Sequence, residues 1–129
     1  MNTNSRKCDS ATIELRDKYI YIRYNDLAIV GVKEAKEVGD IAIDLCQGEP
    51  HAFVIDGLDI TVRMNDDARK FIATYPPYLK IRKAQAFLIN NIPSRLLAKF
   101  FIQFHKPKNP VKICSSLEEA EEWIATLSI

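Results

Sequence analysis

The sequence predicts an α/β protein with a mainly parallel sheet and an antiparallel N-terminal hairpin, in the order β-β-α-β-α-β-α-β-α. Three observations carry that prediction. Two segments near the start alternate apolar and polar residues across a two-residue connection. The later apolar runs are short and nearly unbroken, as strands covered on both faces are. Between them lie segments of helical period with recognisable start and stop residues. Strands that alternate with helices need crossover connections, and crossovers make neighbouring strands parallel.

Thr12-Ile-Glu-Leu-Arg16 and Tyr19-Ile-Tyr-Ile-Arg-Tyr24 form the hairpin, joined by Asp17-Lys18 and expected to keep one solvated face. From 32 to 47 the period lengthens, and Ala35, Val38, Ala42 and Leu45 fall on one helical face. Gly48 stops that helix where a left-handed residue is often required. His51-Ala-Phe-Val-Ile55 is a buried strand, and 56–64 a loop. Asn65 caps the next helix, with Asp66 and Asp67 facing the positive end of its dipole. Ala68, Phe71, Ile72 and Tyr75 are its inner stripe, and Pro76-Pro77 ends it. A strand over 84–89 follows, then a helix over 92–104 with Pro93 in its first turn. The last pair is a strand over 111–114 and a helix opened by the capping box Ser116-Leu-Glu-Glu119, with Leu117, Ala120, Ile124 and Leu127 inward.

At 129 residues the chain is expected to be one domain, 11–129, behind a flexible tail, 1–10. The polar first ten residues lack a signal-peptide core, and no apolar run is long enough to span a bilayer. The expected location is therefore cytoplasmic, with peripheral attachment to the membrane left open. Cys8, Cys46 and Cys114 show no ligand spacing and are expected to be free thiols, so neither a metal nor a cofactor is expected. His51 and His105 sit in no nucleophile pattern. Nothing supports an enzyme.

Charge is unevenly placed. The fifty residues 68–117 hold none of the 17 carboxylates but ten of the 18 Lys and Arg, although the net charge is only +1. Inside this stretch the 92–104 helix has an apolar arc of about 180°, against the roughly 100° a surface helix needs. Phe100, Phe101 and Phe104 belong to that arc, Arg95, Lys99 and Lys106 cluster beside it, and Lys108 follows. Burial under the last helix, an anionic lipid or other hydrophobic ligand, and a homodimer or protein partner are the open explanations. Nucleic acid is an unlikely partner, because the overall charge is balanced and no reading motif is present. A second candidate surface is the loop and helix start at Asp56, Asp59, Thr61, Arg63, Asn65, Asp66 and Asp67, at the carboxyl end of a buried strand.

Element order, the strand–loop–helix passage from His51 to Met64-Asn-Asp-Asp-Ala68, and Ser94-Arg-Leu-Leu-Ala-Lys-Phe-Phe-Ile-Gln-Phe-His-Lys-Pro107 with its Glu-rich, Trp-containing last helix together resemble the STAS-like, SpoIIAA-like fold. This is the anti-sigma-factor-antagonist-like, Sec14-related group of small bacterial proteins. The resemblance implies a binding or regulatory module without catalysis. Regulatory members carry a phosphorylatable serine at the positions matching Asn65-Asp66-Asp67-Ala68, and no serine stands there. Asp66 and Asp67 then either place permanent charge where a phosphate would sit or only cap a helix. Two functions remain open: association with an apolar anionic ligand or membrane surface through 92–108, or protein–protein regulation through 56–67.

Overall fold

The structure is a computed structural model, and it describes residues 4–105 and 108–128, the side chains of 101, 104 and 105 excepted. β2 (Ala11–Arg16) and β3 (Tyr19–Tyr24) pair antiparallel, with Ile13 opposite Ile22 and Leu15 opposite Ile20. β3 then runs parallel to β5 (His51–Asp56), β5 to β7 (Arg82–Leu88), and β7 to β8 (Val111–Cys114). The parallel part of the sheet is thus the part whose strands are separated by helices.

Two expectations about the N-terminal end change. β1 (Ser5–Lys7) pairs antiparallel with β2, so the tail expected over 1–10 is an ordered edge strand from Ser5. It is held by a turn in which the Cys8 N–H donates to the Ala11 carbonyl at 3.0 Å, and by Arg6 paired with Asp44 at 2.6 Å. The solvated face expected of the hairpin is absent on β3, which is central and buried on both sides.

α1 (Val32–Cys46) buries Ala35, Val38, Ala42 and Leu45, as its period requires. Its reversal begins one residue early, with Gln47 at φ 50° and Gly48 at φ 80°. β4 (Ile29–Val30) and β6 (Arg63–Met64) form a separate parallel pair, each too short to leave a periodic signal. α2 (Asp66–Thr74) starts at Asn65, whose Oδ1 accepts from the Ala68 N–H at 2.8 Å. Pro76-Pro77 ends α2 but also begins α3 (Pro76–Ile81), because proline fits the first helical turn as readily as it breaks an interior.

α4 (Ile92–His105) is capped by Asn91, which accepts from the Ser94 N–H at 2.9 Å. α5 (Leu117–Ala125) is capped by Ser116, which accepts from the Glu119 N–H at 3.1 Å. In the return bond the Ser115 N–H, rather than that of Ser116, donates to Glu119 Oε1 at 3.0 Å.

Helices cover both faces. α1, α2 and α3 pack on the face that carries Ile20, Ile22 and Phe53. α5 packs on the other, against Ala52, Val54, Ala84, Ala86 and Leu88. No helix among the described residues is long and apolar enough to cross a membrane.

Candidate functional site: a cavity beneath α4

In-register parallel pairing sets Ile55 beside Phe87 and Phe53 beside Gln85 on the α2–α3 face. Along β7, Ala84, Ala86 and Leu88 are fully buried on the α5 side, whereas Lys83, Gln85 and Phe87 are half-buried. The space above Gln85 and Phe87 is a cavity of about 610 Å³. Ile72 and Ala73 of α2, Tyr78 and Leu79 of α3, and Met64 of β6 wall one side. Ser94, Leu97 and Ala98 of α4 wall the other, with Lys108 and Asn109 also lining it.

Among the described side chains of α4, Ser94, Leu97 and Ala98 line this space, while Ile92, Leu96 and Phe100 are 74%, 61% and 62% exposed. A helix seated in a core buries its large side chains. Burial under the last helix does not explain the wide apolar arc, since α5 lies on the opposite face of the sheet.

Arg82 enters the cavity wall where the chain leaves α3 for β7. It is 5% exposed. Its Nη2 donates to the Ile72 carbonyl near the end of α2 at 3.0 Å, and its guanidinium lies 4.5 Å from the centre of the Tyr78 ring. Among the described residues its Nη1 has no hydrogen-bond partner. Burial lowers the Arg82 pKa from its ordinary value, and the neighbouring Tyr78 opposes that shift. An arginine nonetheless stays charged at neutral pH.

The seven residues expected to meet a ligand or membrane divide. Lys99 and Phe100 are exposed, and Lys108 is exposed while lining the cavity. Arg95 is committed elsewhere, donating to the Ile89 carbonyl at 3.3 Å and contacting Ser115 Oγ at 3.5 Å. Lys106 and the side chains of Phe101 and Phe104 lie outside the described residues.

The 56–67 candidates do not form one surface. Asp56 is buried, accepting from the Tyr21 hydroxyl, the Leu58 N–H at 2.9 Å and Arg23 at 2.9 Å. Burial and then Asp56 push the Tyr21 pKa up to about 12. Asp59 accepts from Asn90 at 2.8 Å, the Thr61 N–H donates to Asp26 at 2.9 Å, and Asp66 pairs with Arg69 at 3.1 Å. Arg63, Asn65 and Asp67 are exposed. Beside this loop, Leu27 and Ile29 are 72% and 73% exposed, Leu27 donating its N–H to the Thr61 carbonyl and Ile29 standing opposite Arg63.

His51 is half-buried, its Nδ1 2.8 Å from the Glu49 carbonyl. Among the described residues no group of three or more His, Cys, Asp and Glu is placed to hold a metal. Sequence reasoning missed Arg82, Gln85 and Tyr78. The available signal was Arg82-Lys83 at the mouth of an apolar strand, a position where two charges need an explanation.

A family model matches residues 13–128. The chain belongs to the DUF7793 family, described as a domain of unknown function. No curated protein matches this DUF7793 chain. Among solved structures it is similar to an uncharacterized protein of the DUF3478 family with a SpoIIAA-like fold from Shewanella loihica PV-4. The two share 12% identity at a TM-score of 0.63, over 89% of this chain and 92% of that one. Together with the sheet order this gives the DUF7793 chain a SpoIIAA-like fold.

Proposed function

We propose that this chain is a binding module, not an enzyme, that takes an apolar ligand with an anionic group into the cavity beneath α4, in the cytoplasm or at the membrane surface. The observation that carries this reading is the cavity itself: about 610 Å³, within the range of small-ligand sites, between Phe87 and Ile55 below and Leu97 above. Each methylene removed from water contributes about 0.8 kcal/mol, so a short aliphatic tail already offsets the low end of the association cost, about 4 kcal/mol. The exposed Ile92, Leu96, Lys99 and Phe100 on the outer side of α4 suit delivery from a lipid surface.

The test is titration with Nile red, a neutral apolar dye. Wild-type protein should bind it saturably, and Ala98→Phe, which fills the cavity from α4, should weaken binding about tenfold. Equal binding by both proteins, or none by either, contradicts the reading. Flotation with anionic vesicles separates the membrane arm, which Lys99→Gln with Lys108→Gln should weaken.

One observation supports a second reading, a protein partner or second copy at the 56–67 side. Leu27 and Ile29 are large, apolar and exposed beside Thr61 and Arg63. Ile29→Glu should then abolish concentration-dependent association in sedimentation while leaving Nile red binding unchanged. A wild-type protein that stays monomeric at high concentration removes the second-copy form.

A further inference from the structure

We propose that Arg82 is the anion-binding residue of this cavity, and that the ligand is a single-tailed monocarboxylate, an alkyl carboxylic acid bound as its carboxylate. The inference rests on the cavity-binding reading and names the ligand's class.

Among the described residues the cavity is lined by three cations, Arg69, Arg82 and Lys108, and by no carboxylate. The acid-free stretch 68–117 supplies most of its wall, and the three residues from outside it, Tyr24, Ile55 and Met64, are uncharged. Arg69 is paired with Asp66, and Lys108 is exposed. Arg82 is different. It is 5% exposed, and no ion pair joins it to an acid among the described residues. A buried charge without an opposite partner is costly, and a buried guanidinium N–H without an acceptor adds to that cost.

The Ile72 carbonyl and the Tyr78 ring explain why the side chain lies where it does, but they leave Nη1 unbonded. Nη1 itself is closed to solvent, so it meets a ligand in the cavity only through a turn of the guanidinium of a side chain that already lines the wall. A carboxylate arriving there accepts a charge-assisted hydrogen bond and neutralises one positive charge. A phosphate dianion would bring twice the charge to a single buried cation.

The tail has a matching path. From Arg82 to Phe87 the strand runs about 16 Å at the rise of a parallel strand. Gln85, Phe87, Ile55, Met64 and Leu97 line the space along it. A medium-length aliphatic chain with its carboxylate at Arg82 lies along β7 beneath α4.

The experiment is displacement of Nile red from the full chain by dodecanoate, dodecanol and dodecyl phosphate, each below its micelle-forming concentration at pH 7. Dodecanoate should compete at least about tenfold better than dodecanol, the size expected of one charged hydrogen bond, and dodecyl phosphate no better than dodecanoate. Arg82→Gln should erase the preference for the acid while leaving dodecanol competition unchanged, and Arg82→Lys should keep part of it. If loss of the Ile72 contact unfolds Arg82→Gln, the acid-against-alcohol comparison on wild-type protein still decides. Equal competition by acid and alcohol overturns the Arg82 inference and leaves the cavity reading standing. Stronger competition by the phosphate overturns the ligand class. If none of the three displaces the dye, the cavity reading falls as well.

Discussion

On β7, Ala84, Ala86 and Leu88 are fully buried beneath α5, while Gln85 and Phe87, their alternating neighbours, are half-buried on the α4 side. The α5 side is closed: Ala52, Val54, Ala84, Ala86 and Leu88 on the sheet and Ala120 and Ile124 on the helix form one buried cluster, with Leu117, Trp123 and Leu127 packed against it. Ser116 fixes the start of α5, and Tyr19 bonds Glu121 at 2.7 Å on its outer flank. On the α4 side the sheet offers Gln85 and Phe87, and among the described side chains Ser94, Leu97 and Ala98 of the helix line the space above them while Leu96 and Phe100 are exposed. One strand therefore serves a filled core and an open container. The difference lies in the helix laid over each face.

Single substitutions on β7 sharpen that contrast most. Leu88→Ala should cost about 2–5 kcal/mol, as truncation in a filled core does, whereas Phe87→Ala should cost less than about 2 kcal/mol despite removing a larger side chain. Urea titration of both variants checks this, and equal losses would mean that the space above Phe87 is packed in solution.

The helix caps give a smaller version of the same test. Ser116→Ala should destabilise by about 0.5–2 kcal/mol, because α5 unfolds only with the core. Asn91→Ala removes the same kind of bond from α4 but should cost less than about 0.5 kcal/mol in global stability, since a loosely seated helix opens locally. A larger loss at Asn91 than at Ser116 would reverse the ranking of the two helices.

Away from both helices, Tyr21 and Asp56 offer a pH test of whether the 56–67 side is structural. The Tyr21 pKa is raised in the folded state, so folding favours the neutral hydroxyl. Its contribution is complete below the unfolded tyrosine value of about 10 and is lost as pH rises from there toward about 12. Stability should fall over that window, and Tyr21→Phe should lessen the slope. An unchanged slope would mean that the hydroxyl is not buried against Asp56.

The sheet was legible in the sequence because its strands differ in kind. The alternation in Thr12–Arg16 and the unbroken run from Ala52 to Ile55 mark the antiparallel edge and the parallel centre. Asn65 and Ser116 announced their helices through side-chain chemistry that acts locally. Pro76-Pro77 was ambiguous by nature, since proline both ends one helix and starts another. β1, β4 and β6 are two or three residues long, and their pairing depends on partners distant in the chain. The α4 arc showed a surplus of apolar surface without showing which part turned inward. Arg82 could not be assigned from sequence, because its role comes from α2 and α3 closing around it.

Hydrogen exchange on α4 and α5, with and without dodecanoate, decides whether the α4 side is a container. In the free protein the amides of 96–103 should exchange far faster than those of 119–125, and ligand should slow the first set while leaving the second unchanged. Equal protection of the two helices in the free protein, with no change when dodecanoate is added, would contradict it.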